Sequence, residues 1–160
     1  NGDTLVIYFS ESGNTETLAN YIHDEVGGDI VKIVPKVEYP KVYDELADYA
    51  KKEQDNNERP EFNDLEVDPT SYKNVYIGYP IWWYSLPMIM ETFFDKYDFS
   101  GVTIIPFNTH EGSGNGGTYD MIRDREPGAD VLEGLPIRGG DVNSDKTKEA
   151  VKDWIDKLAL

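Results

Sequence analysis

Six consecutive residues, Ser10-Glu11-Ser12-Gly13-Asn14-Thr15, bring three hydroxyls, a carboxamide and a glycine together. They lie between the apolar run Leu5-Val6-Ile7-Tyr8-Phe9 and the amphipathic run Leu18 to Val26. A chain that turns from a buried strand into a helix presents unpaired backbone N–H groups at the helix start, and the helix dipole favours an anion there. The hydroxyls add neutral donors, so the stretch reads as a phosphate-holding turn. With no Lys or Arg in the loop, it suits a monoester held statically rather than a triphosphate cleaved with Mg2+ and a lysine. An ordinary capped turn draws on the same residue types, because Ser, Asn and Thr are common N-caps.

Two further stretches have chemistry of their own. Tyr79-Pro80-Ile81-Trp82-Trp83-Tyr84 follows a short apolar run, Val75 to Gly78. Asn108-Thr109-His110-Glu111-Gly112-Ser113-Gly114-Asn115-Gly116-Gly117 follows another, Val102 to Phe107. Aromatic side chains can stack on a planar ring or wall it from water, while glycines and small polar residues let backbone groups reach heteroatoms at the ring edge. Tryptophans are also frequent core residues. Here they come directly after a strand end and before Pro87, which puts them in a loop.

The elements that must position these loops follow from periodicity and punctuation. Gly27-Gly28 ends the first helix, and Asp29 to Val34 reads as a second buried strand closed by Pro35. Val42, Tyr43, Leu46, Ala47, Tyr49 and Ala50 recur at helical spacing, which predicts a helix with one apolar face ending near Glu53. The polar stretch 54–73 reads as a surface excursion with room for a short helical or extended piece. Pro87 opens a third helix through Tyr97, and residues 118–125 form a fourth. Asp130 to Leu132 and Leu135 to Ile137 are either a broken fifth strand or one strand with a small insertion around Gly134. Ser144 caps a last helix with Val151, Trp154, Ile155 and Leu158 on one face.

Alternating strands and helices with continuous apolar strands imply an α/β fold. The expectation is a single domain over residues 1–160, a doubly wound five-stranded parallel sheet of order 2-1-3-4-5 with helices on both faces. Ligands in such sheets bind beyond the carboxyl ends of the strands where the order reverses, here between strands one and three. The three stretches follow strands one, three and four and converge on that edge.

Composition narrows the chemistry. Fifteen Lys and Arg against 31 Asp and Glu give a net charge of −16. That argues against nucleic acid or an anionic membrane as partner and favours a basic protein. The absence of cysteine removes disulfides, thiolate catalysis, iron–sulfur clusters and cysteine zinc sites, leaving a bound organic cofactor for redox work. His23 and His110 have no second ligand beside them, so no metal site is expected. No apolar run approaches the about 18 residues of a membrane span. A cytoplasmic location is the expectation, with a removed N-terminal segment left open because the chain begins at Asn1.

On these residues the chain resembles the flavodoxins and flavodoxin-like proteins. Ser10-x-Ser12-Gly13-Asn14-Thr15 is similar to their FMN phosphate loop, and Gly78-x-Pro80-x-Trp82 to the start of their first ring-binding loop. The wording of the second and third stretches is similar to a bacterial subgroup, and the resemblance covers nearly the whole chain. It implies FMN as cofactor, with Ser10, Ser12, Asn14 and Thr15 donating to its phosphate and Gly13 allowing close approach. Pro80, Ile81, Trp82 and Trp83 would line one side of the isoalloxazine. Thr109, His110, Glu111, Gly112 and Ser113 would line the other side and its pyrimidine edge. Many flavodoxins cover the outer ring face with a tyrosine in the loop after strand four. Here that loop holds none until Tyr119, so either Tyr119 or His110 swings in or the face is open.

Gly112-x-Gly114-x-x-Gly117 matches a dinucleotide fingerprint in form, with Glu133 at a later distance. It lies in the fourth loop instead of the first, and it reads as freedom for the backbone near a ring edge. Ser113 has no nucleophile-elbow glycine, since Glu111 stands there. A phosphorylatable Asp after strand three is lacking. Two functions remain: an FMN electron carrier between partner proteins, or an FMN oxidoreductase passing hydride from NAD(P)H to a quinone or similar small acceptor. Size, acidity and the lack of a basic cluster near the loops favour the carrier.

Overall fold

The computed structural model describes residues 3–160; Asn1, where the sequence reading left a removed segment open, lies outside the described residues. The elements alternate in chain order: β1 (Thr4–Tyr8), α1 (Asn14–Val26), β2 (Asp29–Lys32), α2 (Tyr43–Asp55), β3 (Asn74–Pro80), α3 (Met88–Lys96), β4 (Thr103–His110), α4 (Thr118–Arg125), β5 (Asp130–Val131), β6 (Leu135–Arg138) and α5 (Asp145–Leu158). The strands are all parallel and ordered β2-β1-β3-β4-β5, with β6 also on β4. This is the doubly wound order expected.

Alternation along β1 builds both layers of the core. Leu5, Ile7 and Phe9 face one side with Ile77, Tyr79, Ile89 and Phe93, while Val6 and Tyr8 face the other with Leu18, Ile22, Phe107, Val151 and Trp154. Helices α1 and α5 thus cover one face, and α3 and α4 the other.

The fifth strand is one strand with an insertion. Ile104 pairs with Val131 and Phe107 with Leu135, so three steps along β4 (104 to 107) match four along the split strand (131 to 135). Gly134 sits in the break because a Cβ there would come within 2.5 Å of the Tyr119 ring and 2.6 Å of the Pro106 carbonyl.

Two expectations are corrected. β2 is a half-exposed edge strand, not a buried one, since it lies at the end of the sheet with only β1 beside it. The stretch 54–73 is not a surface excursion throughout: Phe62, Pro69 and Tyr72 are buried, and Phe62 bridges Pro35 while the Tyr72 hydroxyl donates to Asp29 at 2.7 Å. The expected one-faced helix α2 is present, and its apolar stripe divides: Ala50 is buried and Leu46 packs against the core cluster. Among its residues only Ala50 and Glu53 are buried, and Tyr43 is 75% exposed. That stripe faces the site.

Candidate functional site

The first loop is a tight turn onto an uncapped helix. Ser10 Oγ accepts from the Gly13 N–H at 3.1 Å and Ser12 Oγ from the Asn14 N–H at 3.4 Å. Gly13 takes φ +95°, a left-handed conformation that suits glycine, and no side chain caps α1. The first helical bond runs from the Thr17 N–H to the Gly13 carbonyl at 3.0 Å. An uncapped N-terminus at this edge of the sheet has donors for an anion. Behind it, the buried Thr15 hydroxyl lies 2.7 Å from that of Thr109 and ties the turn to the end of β4.

The aromatic wall follows β3. The Ile81 N–H donates to the Thr109 carbonyl at 2.9 Å, prolonging the β3–β4 pairing, and Trp82 and Ser85 then exchange two backbone bonds of 3.1 Å each. The two residues between them, Trp83 and Tyr84, have φ of +51° and +60°, costly for bulky side chains and sustained only where surroundings hold them. Trp83 is held by α2: its Nε1 donates to the Ala47 carbonyl at 2.8 Å, Gln54 Nε2 donates to the Trp83 carbonyl at 3.3 Å, and Lys51 Nζ sits 5.6 Å from the Trp83 ring centre. Trp82 instead meets Phe9 and Tyr39 edge-on, at 5.3 and 5.2 Å between ring centres.

β4 supplies the opposite side. It runs farther than the apolar pattern implied, through Asn108, Thr109 and His110, because pairing with β3 and β6 satisfies the backbone of these polar residues. His110 Nδ1 accepts from the Gly112 N–H at 2.9 Å. Partial burial holds the imidazole below its ordinary pKa; Glu111 opposes that and Arg138 reinforces it. With Nδ1 accepting, the proton of the neutral ring is on Nε2. Asn108 Nδ2 donates to the Gly114 carbonyl at 2.9 Å and folds the glycine-rich loop back.

The three loops enclose one cavity of about 670 Å³, within the range of small-molecule sites. Of the residues proposed from sequence, Ser12, Asn14, Pro80, Ile81, Trp82, Trp83, Thr109, His110, Glu111, Gly112 and Ser113 line it. Ser10, Gly13 and Thr15 do not; they shape the turn. Sequence reasoning did not assign Tyr43, Leu46, Ala47 and Ala50 of α2 to the lining, nor Glu11; Tyr84, read from sequence as part of the aromatic stretch that could wall a ring, lines it as well. The helical spacing of the α2 residues was visible, and their destination was not. Burial raises the Glu11 carboxyl above the usual range, opposed by Lys41, whose Nζ lies 3.8 Å away. Gly139, just after β6, is a fourth contributor. A Cβ there would meet Asn14 Nδ2 at 2.6 Å and Glu111 Oε1 at 3.2 Å.

Tyr119 does not reach the cavity. It is buried, and its hydroxyl donates to Asn108 Oδ1 at 2.5 Å. Among the described residues there is no group of three metal-ligating side chains, and no helix is long and apolar enough to cross a membrane.

Comparisons with known proteins agree with this fold. Two crystal structures of candidate flavoproteins superpose along the whole length. One, from Bacteroides eggerthii, has 29% identity and a TM-score of 0.85, covering 100% of this chain and 99% of that one. The other, from Bacteroides uniformis, has 30% identity and a TM-score of 0.83, covering 98% and 99%. A flavoprotein from Lactobacillus acidophilus in complex with FMN shares the fold at 22% identity and a TM-score of 0.72, covering 91% of this chain and 98% of that one. A search of curated proteins returns no match. The sequence model of the flavodoxin family matches residues 3–158, and the chain belongs to that family.

Proposed function

We propose that this chain, acting as one domain, binds FMN without a covalent bond and carries single electrons between partner proteins. The observation that carries the reading is the convergence of an uncapped helix start and an aromatic wall on one cavity. The donor set fits the cofactor. Ser12, Asn14 and the free N–H groups of α1 suit a phosphate monoester. Trp82, Trp83 and the α2 stripe suit a planar ring, and the backbone of residues 110–113 suits its polar edge. FMN supplies reversible one- and two-electron chemistry when bound. The residues of this chain hold its phosphate, orient its ring and keep water from one side. Glu11 and Glu111 place negative charge at the cavity and disfavour adding more to the ring. With a net charge of −16, the surface would steer a basic protein partner, with an on-rate that falls with salt.

One observation favours the oxidoreductase as a second reading. Tyr119 is held in the core by Asn108, so no tyrosine of the fourth loop covers the outer ring face, and a small acceptor could stack there. A visible spectrum of the protein with FMN, followed by anaerobic NADPH and then NADH, separates the two. Bound flavin that neither nucleotide bleaches is expected for the carrier. Rapid bleaching with turnover on a quinone would make the chain an enzyme, and failure to retain flavin would overturn both.

A further inference from the structure

Only two α2 residues are buried, and one of them is a carboxyl group, Glu53, 4% exposed. The Tyr39 hydroxyl donates to both of its oxygens, at 3.0 and 3.2 Å. The Tyr39 ring, 3% exposed, meets Trp82, Tyr49 and Phe9 at 5.2, 5.4 and 5.8 Å between centres. Trp82 lines the cavity, and so does Ala50, three residues before Glu53 and on the same side of the helix. The carboxyl therefore lies one phenol behind the ring-binding wall, and it also fixes the helix that forms the adjoining wall.

Resting on the FMN reading above, we propose that Glu53 and Tyr39 are a positioning pair for the ring slot, and that FMN affinity falls as the Glu53 carboxyl loses its proton. A neutral carboxyl tolerates this buried place, whereas a carboxylate there must be held away from water. A ring seated against Trp82 and Ala50 replaces the water of the cavity beyond that wall with an apolar body and lowers the polarity around the cluster, so binding is tighter to the protonated form. The groups facing the pair act in known directions. Burial pushes the Glu53 carboxyl up to about 7, Glu58 adds to the rise, and the Tyr39 hydrogen bond opposes it. Tyr39 in turn faces Tyr49 and Glu11 as well as Glu53, and its phenol stays protonated.

The test is an FMN fluorescence titration between pH 5.5 and 8.5 on the full chain and on Glu53→Gln and Tyr39→Phe. The FMN phosphate and the other ionisable groups at the cavity carry a pH dependence of their own, so the quantity read is the wild-type profile divided by that of Glu53→Gln. The expected ratio is an affinity loss of about threefold across the window, the equivalent of half a pKa unit moved on binding. Tyr39→Phe keeps the ring but removes the bond that lowers the Glu53 pKa, so its midpoint shifts to higher pH. A Glu53→Gln profile parallel to the wild type, or an unshifted Tyr39→Phe midpoint, overturns the proposal. If Glu53→Gln does not fold, the Tyr39→Phe midpoint decides alone. Absence of FMN binding by the wild type at every pH overturns the FMN reading itself, a distinct result.

Discussion

Substituting Gly139 by Ala tests whether the phosphate turn is positioned from behind. A Cβ added at Gly139 would meet no side chain as closely as Asn14: it would lie 2.6 Å from Asn14 Nδ2 and 3.2 Å from Glu111 Oε1. Ordinary carbon–nitrogen contact needs about 3.5 Å, so the carboxamide must move by roughly 0.9 Å. The obstructed atom is the free end of a side chain, which can swing away, so the fold loses little, at the low end of the about 1–3 kcal/mol usual for overpacking. The consequence falls on binding. An Asn14 carboxamide turned from the cavity no longer donates to a phosphate, and a hydrogen bond to a charged group is worth about 1.5–3 kcal/mol, or about 10- to 150-fold in Kd. FMN titration by fluorescence, alongside urea melts of the apoprotein, separates the two effects. The expected result is a large loss of affinity with a small shift in melt midpoint. The same Gly139→Ala change in an Asn14→Ala background should add almost nothing, because both act through one carboxamide. Unchanged affinity in the single variant, or full additivity in the double, would refute the reasoning.

Further expectations concern the same site. Replacing Ser12 and Thr15 together by Ala should weaken FMN binding at least tenfold, at about 1.5–3 kcal/mol per lost charged hydrogen bond; Ser12 acts at the cavity surface and Thr15 through its bond to Thr109. An unaltered Kd would remove the phosphate assignment. Glu111→Gln takes one negative charge from the cavity lining and should raise the potential of the second reduction step by about 20–40 mV for an exposed group, read by spectroelectrochemistry. The apoprotein should lose stability as pH rises. The Glu53 carboxyl titrates at an ordinary 4.5 when unfolded and about 7 when folded. Its contribution is thus complete below 4.5, declines as pH rises and is gone above 7. Urea midpoints at pH 5 and pH 8 should differ less in Glu53→Gln than in wild type, and equal differences would count against Glu53 as the titrating group.

The sequence by itself determined the sheet, its order and the edge where ligands gather. Strand and helix periods, the turn residues Gly27-Gly28 and Pro87, and the right-handed crossover rule are local or generic, so they can be read without coordinates. Eleven of the fourteen proposed site residues line the cavity because loops after parallel strands emerge at one edge whatever their detail. Local pattern could not decide what each apolar stripe packs against. Val42, Tyr43, Leu46, Ala47 and Ala50 have the spacing of a core helix, yet α2 sits at the edge of the sheet, held by Trp83 and a buried carboxyl, and turns part of that stripe to the cavity. Phe62 and Tyr72 likewise lie in a polar stretch and are buried only because the adjoining core leaves room for them. Nor could one strand pattern reveal that Tyr119 bonds Asn108 beneath Gly134, which keeps it from the cavity. Burial and hydrogen-bond partners are decided between elements distant in sequence, and only the tertiary structure brings those elements together.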